Sequence, residues 1–183
     1  MKKQFSVKSL TVCAMCIALC CVLPMAFHSM GLGRTFSPLH FPVILCGLVC
    51  GPVFGAVCGV LGPILSCLAT GMPNAAGLVS MVPELFAYGL VCGLGMLFIR
   101  VKHLLADVYL SMIPALITGR LVGGAVSALV YTGAAGGYSF AMFISSYLVG
   151  TFPGMIAQLA LIPLLVLTLE KTKVIPARYT KIS

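Results

Sequence analysis

The chain is short of charge, and shortest of acid. Only three of its 183 residues are Asp or Glu, and charged residues make up 8% of it, against about 25% in a soluble domain. Such a chain cannot cover a water-facing surface, which leaves the bilayer as its solvent. Further absences narrow the function. There is no Gly-x-x-x-x-Gly-Lys-Ser/Thr phosphate loop, so the chain is not expected to hydrolyse ATP itself. No carboxylate pair, nucleophile–base set or metal-ligand cluster is visible, so neither an enzyme nor a resident cofactor or metal is expected. No basic face interleaved with aromatics exists, which sets nucleic acid aside despite a formal net charge of +8. Repeated halves, the usual mark of secondary transporters, are also missing.

What the chain does have is apolar length. Hydrophobic residues are 61% of it and its mean hydropathy is +1.16. The basic residues gather at separated places: Lys2, Lys3 and Lys8 at one end, Arg100 and Lys102 midway, Lys171, Lys173, Arg178 and Lys181 at the other end. That is the distribution of cytoplasmic flanks under the positive-inside rule. Of the eleven Lys and Arg, only Arg34 and Arg120 fall elsewhere. The nine cysteines lie almost entirely inside apolar runs, where Cys acts as a small, soft hydrophobe, so packing rather than a disulfide framework is expected. Cys13-x-x-Cys16 has zinc-like spacing, but no second pair follows in a polar loop. The run after Lys2 and Lys3 has spanning length and no clear cleavage site, so it reads as a retained helix rather than a signal peptide.

Taken in order, the runs predict an all-α integral membrane protein with one domain over 1–183. It has six transmembrane helices at about 9–27, 38–52, 53–70, 78–99, 108–131 and 141–169, with both termini cytoplasmic. Residues 41–70 must hold two crossings turned at Gly51-Pro52, a short allowance for two spans of roughly 20 residues each. Gly47, Gly51, Gly55 and Gly59 recur every fourth residue and permit close approach of the paired helices. Pro63 makes the third helix irregular, a pointer to a pocket, because irregular backbone at membrane depth is tolerated only in protein or beside a cavity. Ala14-x-x-x-Ala18 puts two small residues one turn apart on the first helix, for a partner or for ordinary packing. The loop at 28–40 carries Arg34, either a ligand-contact residue or a headgroup anchor.

Two charges stand out. Between Arg34 and Arg100 the only charged residue is Glu84, and between Asp107 and Glu170 the only one is Arg120. Glu84 lies about 9 Å below the start of its helix, with Tyr88 on the same face, and Arg120 lies about 16 Å below Tyr131. A charge inside an apolar span must be satisfied and marks a functional site by default. The pair is therefore either a packing bridge or the edge of a pocket open to the outside.

At this point the motifs become specific. Pro38-Leu-His-Phe-Pro-Val-Ile-Leu-Cys-Gly-Leu-Val-Cys-Gly51, Gly71-Met-Pro, Pro83-Glu-Leu-Phe-Ala-Tyr-Gly89-Leu-Val-Cys-Gly93 and Gly119-Arg-Leu-Val-Gly123 together resemble the substrate-binding S components of energy-coupling factor (ECF) vitamin transporters, most of all the broad pantothenate-type branch. The resemblance covers nearly the whole chain. It implies a multi-pass protein of the bacterial cytoplasmic membrane that captures a vitamin from outside. Such a protein delivers its vitamin inward by toppling in the bilayer, together with a T component and two cytoplasmic ATPases. It assigns docking to Ala14 and Ala18, and the pocket to Arg34, Asn74, Glu84, Tyr88, Arg120 and Gln158. The family often carries Trp at the pocket or interface and this chain has none, so stacking would fall to Tyr or Phe. Pantothenate suits Arg120 and Arg34 through its carboxylate. Folate, vitamin B6, cobalamin and a queuosine precursor stay open as ligands, and a ligand-free membrane structural or assembly protein stays open as a function.

Overall fold

The computed structural model describes residues 7–29, 31, 36–99, 101, 103–131, 141, 144–145 and 150–172. Among the described residues six helices emerge: α1 Val7–Ser29, α2 His40–Cys50, α3 Pro52–Thr70, α4 Ala75–Phe98, α5 Leu104–Tyr131 and α6 Phe152–Lys171. Among the described residues there is no strand. All but α2 are long and apolar enough to cross a membrane. Their outer faces carry bare Leu, Phe and Val side chains, such as Leu10, Leu68, Phe98 and Leu129, which only a lipid environment would tolerate in such number. The protein is thus an all-helical membrane protein. Arg34 and most of the stretch expected to open the last helix, 141–151, lie outside the described residues.

The short helix is the centre. At 11 residues, α2 is only about 16 Å long, roughly half a hydrocarbon core. Nearly every residue on it is buried, and it touches each of the other five helices. Its end is set by Gly51, whose φ of 97° favours glycine and whose N–H bonds the Gly47 carbonyl at 3.0 Å. Pro52 then opens α3 at a helix start, where its missing N–H costs nothing. One residue thus turns the chain between two helices.

Close backbone contact joins α3 to α4. A methyl group at Gly55 would come within 2.6 Å of the Gly47 Cα and would run into the Gly89 carbonyl. Three helices therefore meet where none of them has a side chain. This is the small-residue packing that lets membrane helices gain dispersion and weak hydrogen bonds without a hydrophobic driving force.

The α1 helix is attached differently. Its buried residues are Ser9, Cys13, Cys16, Cys20 and Pro24, a single stripe at helical spacing that faces α2 and α3. The thiols of Cys13 and Cys46 both point to the Phe54 carbonyl, at 3.7 and 3.5 Å, and the Cys50 thiol donates to the Ser9 carbonyl at 3.5 Å. All nine cysteines are free, and seven are buried. Ala14 and Ala18 stand on the exposed side of the same helix.

Candidate functional site

The site lies at the end of the bundle where α1, α3 and α5 finish and α2, α4 and α6 begin. There a cavity of about 430 Å³ opens, within the usual range of roughly 300–1,000 Å³ for small-molecule sites. Its rim includes His28 and Asn74, which are exposed, and its floor Glu84, Arg120 and His40, which are buried. Pro38, Leu39, Met72 and Met81 supply apolar wall.

Each functional side chain has a local reason for its place. Asn74 caps α4: its side-chain oxygen accepts from the Gly77 N–H at 2.9 Å, which satisfies one of the free donors at a helix start. Ser66 holds the preceding turn by donating to the Met72 carbonyl at 2.7 Å. Ten residues along α4 from that cap, Glu84 is brought against α5, and Gly123 makes room for it. A methyl at Gly123 would meet the Glu84 Oε2 at 2.8 Å. Gly119 does the same for the Tyr88 ring, at 2.7 Å. Tyr131, at the end of α5, donates to the Ala76 carbonyl at 3.1 Å and ties the rim of α5 to that of α4.

At the floor, Glu84 Oε1 accepts from Arg120 Nη1 at 3.2 Å and faces His40 Nε2 at 3.3 Å. The other ring nitrogen of His40, Nδ1, lies 3.2 Å from the Ser37 carbonyl. Tyr88 packs edge-on against the His40 ring, centroids 5.0 Å apart, and its hydroxyl donates to the Leu116 carbonyl at 3.5 Å. Glu84 and Arg120 are 4% and 5% exposed, so their opposite charges offset a desolvation cost that either alone would bear in full.

Of the expected ligand-facing residues, Asn74, Glu84 and Arg120 line the cavity. Tyr88 lies below it and supports His40. Gln158 is fully buried on the face of α6 that leads down from Thr151, itself a lining residue. Among the described residues neither the oxygen nor the nitrogen of its side-chain amide has a hydrogen-bond partner. Arg34 lies outside the described residues. Sequence reasoning placed His40 only in a possible ligand-contact loop, beside His28 and Arg34, and gave it no site role of its own. The usable signal was its place two residues after Pro38, at the start of a run too short to span. Among the described residues no group of three His, Cys, Asp or Glu side chains could hold a metal ion.

The fold and this cavity define a class: an all-helical, multi-pass cell-membrane protein with a molecule-sized hollow over a buried ionic floor. The family model of the ECF transporter substrate-specific component matches residues 8–170, and the chain belongs to that family. Members are transport subunits rather than enzymes, and as a family they work with a small-molecule substrate, a T component and ATPases. No curated protein and no solved structure matches the chain.

Proposed function

We propose that this chain captures a vitamin-like molecule from outside the cell in the cavity above Glu84 and Arg120, and delivers it inward with a T component and two ATPases. Pantothenate is the first candidate, with folate, vitamin B6, cobalamin and a queuosine precursor as the others. The observation that carries the reading is two buried opposite charges meeting at the floor of a 430 Å³ hollow whose rim is exposed. Buried ionisable groups in a membrane domain are costly and mark ligand or ion sites.

Orientation follows from charge. Lys8 opens α1 and Lys171 closes α6, both at the end away from the cavity, which is also the end where α4 finishes, and in the sequence Arg100 and Lys102 come next after α4. Cytoplasmic positive charge then puts that end inside and the cavity outside, and we read the chain as six passes with inner termini in which α2, too short to cross alone, is a buried half-length pass. In this reading Glu84 and Arg120 contact the ligand, Asn74 meets it at the mouth, Tyr88 stiffens the floor, and Arg34, outside the described residues, keeps the ligand-contact role that the resemblance gives it. Gln158 receives a ligand group or a water; a buried amide left unpaired costs about 1–3 kcal/mol, so something is needed there. Ala14 and Ala18, exposed and small, let a partner helix dock on α1.

The test is to purify the protein from growing cells and identify small molecules released on denaturation. One stoichiometric micronutrient supports the reading. A clean protein with none favours the rival, in which Glu84–Arg120 is only a packing bridge in a ligand-free assembly protein.

A further inference from the structure

Gln158 is 0% exposed, and among the described residues neither its amide oxygen nor its amide nitrogen has a hydrogen-bond partner. A buried amide in that state costs stability for as long as the protein stands empty, and in a membrane domain no lipid tail relieves it. Such a group in a native structure calls for an explanation. Its place in the fold supplies one. Ser127 near the end of α5 and Thr151 at the start of α6 both line the cavity. Seven residues from each, nearly two full turns and about 10 Å down the same helix face, stand Arg120 and Gln158. The two helices thus repeat one order from rim to floor: a hydroxyl, a buried glycine (Gly123 or Gly154), then a buried polar side chain. One turn further along α6, Ile162 belongs to the apolar core. Gln158 is therefore the last polar group on that face of α6 before the core, at about the depth of Arg120.

From this we infer that Gln158 reads an amide-type group on the captured molecule, an N–H beside a carbonyl as in an amide or a lactam, and so sets specificity at the deep end of the cavity. This rests on the cavity being the ligand site proposed above. A side-chain amide offers an acceptor and a donor side by side, and a group with the complementary pair meets both at once. A carboxylate, ketone or ether only accepts and leaves the Gln158 oxygen unpaired. A hydroxyl has one oxygen for both roles and meets one of the two atoms. A trapped water needs several polar partners, and the neighbours one step and one turn further along, Leu159 and Ile162, pack with the apolar core. Gln158 is closed off from the open cavity, so α6 gives way as the molecule enters. That helix is suited to yield: it packs mainly on α2 and α5 and buries less of its apolar length than α4 does. A few well-placed polar groups in an otherwise apolar pocket are what fix orientation and specificity. Of the ligands named above, vitamin B6 alone lacks an N–H beside a carbonyl.

The empty and the occupied protein should respond to Gln158 in opposite ways. Gln158→Met keeps the length of the side chain and removes the amide; Gln158→Leu is a second variant of different shape. In protein washed free of small molecules, the thermal midpoint of at least one variant should lie a few degrees above that of wild type, because an unpaired amide is gone. Midpoints no higher than wild type in both variants overturn the inference, since the amide is then already satisfied in the empty protein. Immobilised wild type and the more stable variant are next offered the small-molecule pool of a cell extract, and retained compounds are read by mass spectrometry. The expected result is a compound on wild type that carries an N–H beside a carbonyl, held at least about tenfold less by the variant. A retained compound without that group, or equal retention by both proteins, overturns the inference and leaves the ligand site standing. Retention of nothing by wild type overturns the ligand-site reading itself and this inference with it.

Discussion

α1 and α4 are apolar helices of similar length, yet the bundle holds them by different means. In α1, 22% of the membrane-length window is buried, along one stripe of small and soft side chains. In α4 the figure is 44%, with a glycine face toward α3 and an ionic face toward α5. Thiols facing carbonyls give α1 adaptable contacts of modest strength. Backbone contact and a buried ion pair give α4 a fixed position. The difference separates two tasks: rigid positioning of the ionic floor falls to α2, α4 and α5, while α1 leaves a broad apolar face exposed, with Ala14 and Ala18 on it. On the proposed function that face is where a partner docks.

The contrast can be broken at its ionic side first. Arg120→Ala should weaken ligand binding by about a hundredfold, the loss of a charged hydrogen bond worth roughly 2–3 kcal/mol, while the protein still elutes as a folded species; isothermal titration checks it. At the glycine side, Gly89→Val forces side-chain atoms onto the Gly55 carbonyl. Overpacking costs about 1–3 kcal/mol, so a clear fall in the midpoint of thermal unfolding is expected, and an unchanged midpoint would remove the backbone contact from the account. Tyr88→Phe removes only a long hydroxyl contact, worth at most about 1 kcal/mol, so affinity should change by no more than a few-fold. At the α1 side, Ala14→Trp and Ala18→Trp should leave ligand affinity unchanged and block uptake in cells that hold the T component and both ATPases. Full uptake by these variants would take the docking role from α1.

The sequence was most legible where cost is highest. Glu84 and Arg120 could be picked out because nothing else charged shares their apolar runs, and the structure brings them to 3.2 Å. The four-residue glycine repeat pointed to close helix approach, which occurs at Gly47 and Gly55. It did not reveal Gly89 as their partner, because contact across helices leaves no local spacing. The small allowance at 41–70 pointed to two helices that are short or thin the bilayer; only α2 is short, α3 running 19 residues, and nothing in the spacing made α2 the buried centre. His40 gained no site role from the sequence because its role comes from Ser37, Glu84 and Tyr88 converging on it, and two of those three lie more than forty residues away. Asn74 was read as a ligand contact alone, although a residue of that type before an apolar run is also a helix cap.

The account stands or falls on whether the buried ionic floor holds a guest. The direct measurement is mass spectrometry of small molecules released from wild-type protein and from Arg120→Ala purified in the same way, with both shown to be folded. The account predicts one compound in near-equal proportion to the wild-type protein and its loss from the variant. The same compound in the same amount from both proteins would contradict it.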